Sequence, residues 1–161
     1  MSRPGRVSAG IALVRGRRSG RPEIFLVHPG GPLWAGKDQH GWSIPKGELD
    51  GPADPDLEAV ARREFAEETG QAVPDGPLTP LPPFGLGSGK RLHAFWLEGD
   101  IDAEGVVSNE FELEWPPRSG RFQRFPEVDR AAWFDLDHAR TRLHKGQVKL
   151  VDLLVAALRE S

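Results

Sequence analysis

The chain has 161 residues, 38% hydrophobic and 28% charged, with a net charge of −3 and a pI near 6.0. That length suits one domain spanning residues 1–161, and the mild acidity excludes a broadly basic surface, so no nucleic-acid polymer is expected as a partner. Cysteine is absent, which removes disulfides and thiolate metal sites and leaves carboxylates, histidine or backbone carbonyls as the only metal donors.

The basic start, "MSRPGRVSAG", runs into "IALVRGRR", too short and too charged for a secretory h-region. No run approaches the ~18 apolar residues of a membrane span. A cytoplasmic location without a membrane partner is therefore expected. "RVSAGIALVR" (6–15) reads as a strand whose glycine marks close backbone approach. "GRRSGRP" is a turn and "EIFLVHP" (23–29) a second strand, so the two predict a hairpin. Residues 30–41 form a glycine-rich loop carrying Trp34, Lys37 and His40, and 42–55 pass from a short extended segment into another loop.

Residues 56–69, "DLEAVARREFAEET", predict a helix, with Leu57, Val60, Ala61, Phe65 and Ala66 as its apolar stripe. Asp54 or Asp56 can cap its start, and Gly70 suits its end. "PDGPLTPLPPFGLGSGK" reads as mostly irregular. "RLHAFWLEGD" (91–100) and "EFELEWPP" (110–117) alternate as strands, the second with Phe111, Leu113 and Trp115 opposite Glu110, Glu112 and Glu114. "RAAWFDL" (130–136) is a short strand, "DHARTRLHKGQ" is partly helical, and "QVKLVDLLVAALRE" (147–160) is an amphipathic helix. Strands on either side of a central helix, closed by another helix, point to an α/β or α+β fold layered around a mixed sheet.

Glu64, Glu67 and Glu68 fall on one face of the predicted helix. Unpaired, they repel one another, and Glu67 and Glu68 also sit near the C-terminal end, where the macrodipole disfavours anions. A bound divalent cation reverses both effects, and oxygen donors select a hard ion, Mg²⁺ or Mn²⁺. The bland alternative is a solvated acidic face.

The larger stretch "GWSIPKGELDGPADPDLEAVARREFAEETG" (41–70) resembles the Nudix box: a glycine, a loop, then a helix carrying Arg-Glu, two residues, Glu-Glu, one residue and Gly. The matching positions are Gly47, Arg63, Glu64, Glu67, Glu68 and Gly70. The chain departs from the pattern at Ala53, where a glutamate is usual, and in a Gly47-to-Arg63 interval two residues longer than usual. Asp54, Asp56 or Glu58 could stand in as a partner for Arg63.

The resemblance implies a Nudix fold, a mixed sheet sandwiched between helices, and hydrolysis of a nucleoside diphosphate linked to another group. It implies that Glu64, Glu67 and Glu68 bind the cations, Glu67 among the catalytic residues, with the Gly47 carbonyl as a further ligand. Arg63, counted with the catalytic residues, would buttress the helix by pairing with a carboxylate. In several Nudix hydrolases a glutamate lies six residues before a tryptophan that begins the last strand, and Glu127 and Trp133 reproduce that spacing. Glu127 is thus a candidate base or further ligand, with Glu112 and Glu114 as alternatives. Lys46 could reach a phosphate, as could Arg118 among the spare cations Lys90, Arg91, Arg121 and Arg124. His28, Trp34 and Trp115 could line a base-stacking wall. The segment "SNEFELEWPPRSG" (108–120) resembles an insertion relative to the smallest family members, which points to specificity.

Within the family the chain is similar to bacterial proteins described only as NTP pyrophosphohydrolases, and to dinucleoside polyphosphate hydrolases that share Trp-x-x-Pro-Lys-Gly. The expected substrate is a small nucleoside or dinucleoside polyphosphate attacked by metal-activated water. The alternatives are an ADP-ribose or nucleotide-sugar hydrolase and a non-catalytic nucleotide-binding module. Family members are often dimers, so a homodimer is compatible.

Overall fold

β1 (Val7–Arg15) is buried along nearly its whole length, so both of its faces must be covered. The computed structural model describes residues 6–49, 56–87 and 89–161. After β1 come β2 (Glu23–Pro29), β3 (Lys46–Glu48), α1 (Leu57–Thr69), β4 (Thr79–Pro80), β5 (Phe84–Gly87) and β6 (Lys90–Glu98). The chain continues with β7 (Glu110–Glu114), β8 (Phe122–Pro126), β9 (Val128–Asp135), α2 (Leu136–Arg142) and α3 (Lys149–Glu160). The main sheet runs β4-β6-β1-β2-β9, with β3 also on β1 and β5 also on β6. β1 and β6 are parallel and the other pairs antiparallel, so the sheet is mixed, as expected.

Alternation along β1 and β2 sorts the core into two layers. Ile11, Leu13, Phe25 and Val27 pack beneath Val60, Ala61 and Phe65 of α1. Ala12, Val14, Ile24 and Leu26 face the other way, onto Ala139 of α2 and Leu150, Val151 and Leu154 of α3. The sheet is thus sandwiched between helices. Among the described residues, no helix is long and apolar enough to cross a membrane.

The predicted hairpin forms, but β1 and β2 pair only at Val14↔Ile24 and Arg15↔Glu23. Beyond that they part, and the 43–48 segment wedges between them. Val27 and Ser43 exchange backbone hydrogen bonds of 2.8 and 2.9 Å, and the Ile11 N–H donates to the Pro45 carbonyl at 3.1 Å. Gly10 is required here, because a Cβ would come within 2.7 Å of both the Lys46 Cβ and the Pro45 carbonyl oxygen. The wedge delivers Lys46 and Gly47 to the underside of α1.

Asp56 caps α1 through its side chain, which accepts the Ala59 N–H at 3.0 Å. Ala66 is exposed rather than part of the apolar stripe, and Thr69 is buried in its place, its hydroxyl donating to the Phe65 carbonyl at 2.7 Å. Ala53 and Asp54, with the rest of 50–55, lie outside the described residues.

Three segments differ from the sequence reading. β4 and β5 lie within the stretch read as irregular; β4 has two residues, too short for any periodicity to register. β8 pairs only with β7 in a separate two-stranded sheet, and its mostly exposed residues give no alternation of burial. α3 starts at Lys149, because Gln147 belongs to a preceding 3₁₀ turn, Lys145–Gln147, and is buried. The Gln147 amide accepts the Ile44 N–H at 3.3 Å and donates to the Ser43 hydroxyl at 2.9 Å, tying that turn to the wedge.

Phe65 anchors α1, fully buried with its ring centroid 6.1 Å from that of Phe25. Phe65→Ala should lower unfolding free energy by about 3–5 kcal/mol in urea titration at unchanged m. A loss under about 1 kcal/mol would mean that α1 is held by something other than this layer.

Candidate active site

The C-terminal half of α1 lies over the wedge, and the carboxylates follow from that contact. Gly47 pairs with Ala9 in β1, and its Cα faces the Glu64 side chain so closely that a Cβ would overlap the Glu64 carboxyl group. The Lys46 N–H donates to Glu68 Oε2 at 3.0 Å. Glu64 is 19% exposed and Arg63 44%, with Arg63 Nη2 4.0 Å from Glu64 Oε1. Glu67 is exposed. Asp56 and Glu58 are engaged elsewhere, Asp56 as the helix cap and Glu58 with Arg62 at 3.7 Å.

The electrostatics of the site are set first by burial. Burial pushes the Glu68 carboxyl up to about 8; the Lys46 N–H and ammonium oppose this, while the charges of Glu64 and Glu127 add to it. Burial also depresses the Lys46 ammonium, helped by Lys90 and opposed by Glu68, Glu48 and Glu64. The Glu127 carboxyl is raised, first by desolvation and then by the charge of Glu67.

Backbone hydrogen bonds hold Glu127 in register with α1. The Asn109 N–H donates to the Glu67 carbonyl at 3.2 Å, and the Glu127 N–H donates to the Asn109 carbonyl at 2.8 Å. The Gly30 N–H donates in turn to the Glu127 carbonyl at 3.0 Å. Helix, Glu127 and the 29–34 loop form one ladder. Its Asn109 rung is a site contribution that sequence reading missed, because only backbone groups make it.

The other nominated residues separate. Glu112 and Glu114 share the hairpin face opposite Phe111 and Leu113. Glu112 stands across from Arg124, and Glu114 accepts the Arg118 N–H at 2.8 Å. Phe111 and Leu113, not the two glutamates, line a cavity together with Glu127. Arg118 is exposed beyond the far end of β7, about four strand residues or ~14 Å from its base. Trp115 is at that same end, its N–H donating to the Arg121 carbonyl at 2.9 Å.

His28 is fully buried, with Nδ1 2.8 Å from Asp129 Oδ1 and Nε2 2.8 Å from the Lys37 carbonyl. It is a strut inside the fold rather than a wall for a base. Trp34 is partly exposed at the cavity, with His144 edge-on at 4.8 Å and the Lys37 ammonium 5.2 Å from its ring centre.

Among the described residues, no three His, Cys, Asp or Glu side chains already converge as a metal cage. Mg²⁺ does not require one, since it keeps waters and takes phosphate oxygens beside one or two carboxylates. The donors present fit that mode. They are all oxygen, burial beside other carboxylates makes Glu68 resist ionisation, and Gly47 leaves the Glu64 carboxyl room at the wedge.

The NUDIX domain family model matches residues 4–154, so the chain belongs to the Nudix family; together with the relative described next, this supports a pyrophosphohydrolase. A relative is the RNA pyrophosphohydrolase of Caulobacter vibrioides (strain NA1000 / CB15N), 42% identical over 130 residues, spanning 65% of this chain and 73% of that one. The NUDIX domain of Shewanella oneidensis NrtR, complexed with ADP ribose, superposes with a TM-score of 0.63 at 17% identity, covering 98% of this chain and 90% of that one. A C. elegans Ap4A hydrolase gives a TM-score of 0.60 at 19% identity, over 96% and 99% of the two chains. These structures share the fold. Nudix hydrolases generally use a divalent metal.

Glu68 makes stability depend on pH. Its folded pKa of about 8 lies above the ordinary 4.5, so its favourable contribution is whole below the lower value and is lost as pH rises through the upper one. In chelator, the midpoint of thermal unfolding should fall between about pH 5 and pH 8, and Glu68→Gln should flatten that fall. Equal falls in both proteins would assign the dependence to other groups.

Proposed function

We propose that the chain hydrolyses a phosphoanhydride bond of a nucleoside or dinucleoside polyphosphate. The observation that carries this reading is the closely packed group of Glu64, Glu68, Lys46 and Gly47, with Glu127 coupled to Glu67 beside it. Under this reading Glu64, Glu67 and Glu68 hold Mg²⁺ or Mn²⁺, with the Gly47 carbonyl as a further donor. When bound, the cation neutralises charge on the phosphoryl oxygens and favours deprotonation of the attacking water. Arg63 braces the helix beside Glu64.

Lys46 offers its ammonium to a phosphate oxygen, and Trp34 offers an aromatic face. Glu127 serves as general base: its carboxylate takes the proton of the attacking water as the new P–O bond forms. The bridging P–O bond breaks, and its oxygen leaves on the departing phosphate. A carboxyl raised above its ordinary value is a better base near neutral pH. Glu112 and Glu114 are not assigned this role, because their strand face is turned away from the Glu127 cavity.

A second reading has its own support. The Caulobacter relative is named for RNA, and a 5′-triphosphate RNA end presents the same class of bond. With Mg²⁺ present, products from ATP, diadenosine tetraphosphate, ADP-ribose and a 5′-triphosphate oligonucleotide would separate the candidates. The reading predicts fastest turnover of ATP or diadenosine tetraphosphate. Preference for the oligonucleotide favours the second reading, and turnover of ADP-ribose alone contradicts both.

Glu67→Gln should lower kcat at least about 100-fold on the best substrate without changing the circular dichroism spectrum; undiminished Mg²⁺-dependent turnover would remove Glu67 from the ligand set. Glu127→Gln should lower kcat by about 10²–10⁴ with KM nearly unchanged, and an unchanged kcat would place the base elsewhere.

A further inference from the structure

We propose that the cavity between the 29–34 loop and β7 seats the nucleobase of the substrate, with Phe111, Leu113 and Leu33 as its specificity wall; this rests on the polyphosphate-hydrolase reading. The cavity measures about 240 Å³. That is below the ~300–1,000 Å³ of pockets enclosing a whole drug-sized ligand, so it suits one flat fragment.

Among the described residues its lining includes Pro32, Leu33, Trp34, Phe111 and Leu113, with Glu127 as the one titratable group. No cationic side chain of the described residues lines it, which disfavours a phosphate or carboxylate. Apolar and aromatic faces with one polar edge match a heterocyclic base. Leu33 is 59% exposed, an apolar side chain left available at the lining.

The wall is preformed. Pro29 and Pro32 restrict the loop, and the Gly30 N–H is held by the Glu127 carbonyl. Gly31 has φ +97°, and a Cβ there would come within 2.9 Å of Phe111 Cζ, so the ring closes directly on the loop backbone. Phe125 backs Phe111 with ring centroids 6.0 Å apart, and His144 and Lys37 hold Trp34 on the other side. Glu127 joins the two regions: it lines the cavity, and its backbone reaches the Glu67 carbonyl of α1 through Asn109. A base in the cavity therefore sets its own phosphates beside the helix carboxylates.

Phe111 and Leu113 come from the β7–β8 hairpin, which forms its own sheet outside the main one. Base preference is thus separable from the hydrolytic machinery. The test compares inorganic tripolyphosphate with the preferred ribonucleoside triphosphate, both with Mg²⁺. The wild-type enzyme should prefer the nucleotide. Phe111→Ala should raise KM for the nucleotide about tenfold or more, leaving kcat and tripolyphosphate turnover within about twofold. Leu33→Ser, at an exposed position where folding is unaffected, should shift KM the same way by a smaller factor, and Phe111→Trp should restore it.

Equal losses on both substrates, or no change in nucleotide KM for either variant, would overturn the base seat while leaving the hydrolase reading intact. Equal wild-type turnover of nucleotide and tripolyphosphate would do the same. Wild-type turnover of neither would overturn the hydrolase reading and the base seat together.

Discussion

The site depends on Glu68, a carboxylate held in burial beneath α1 with other carboxylates beside it. Glu68 is held under α1 by the Lys46 N–H, Glu64 lies against the Cα of Gly47, and Glu67 acts on Glu127 from the exposed side. Each contact is sterically sound, yet the sum disfavours ionisation of Glu68 and Glu127. Structural salt bridges work in the opposite sense, lowering carboxylate pKa values. Burial first, and neighbouring charge second, raise Glu68 and Glu127, and the proposed cation would offset both.

The fold supplies the compression. β1 is covered on both sides, so α1 and the α2–α3 layer are fixed relative to the sheet. The parting of β1 and β2 admits the wedge carrying Lys46 and Gly47, and Gln147 ties that wedge to the opposite layer. The ladder through Asn109 then sets Glu127 at a fixed distance from α1 and continues to Gly30. The proposed catalytic placement therefore rests on main-chain geometry more than on side-chain pairing, and the proposed base seat draws on a hairpin outside the sheet.

Much of this was legible in the residues. The helix over 56–69 could be read because period, cap and C-terminal glycine agreed, and the two-faced burial of β1 and β2 shows as near-continuous apolar runs. The carboxylate face followed from helical spacing alone. What escaped reading was carried by contacts distant in sequence. β8 has no buried face to print a pattern, and the Asn109 rung uses only backbone atoms. The orientation of Glu112 and Glu114 was ambiguous because alternation tells which residues share a face but not which face meets the cleft. The same alternation had already grouped Phe111 with Leu113, the pair that lines the cavity. His28 shows the limit of composition, since nothing local distinguishes a buried strut from a ligand-facing ring.

A hard divalent cation at this site would relieve the burial and the neighbouring charge that disfavour ionised Glu68. Thermal unfolding near pH 8, in chelator and then in excess Mg²⁺ without nucleotide, measures this most directly. A gain of about 1–2 kcal/mol, or roughly 2–8 °C in Tm for a chain of this size, is expected for the wild-type protein. Glu68→Gln should raise Tm in chelator and weaken the response to Mg²⁺. A wild-type Tm indifferent to Mg²⁺, or a Glu68→Gln variant no more stable in chelator than the wild type, would contradict this.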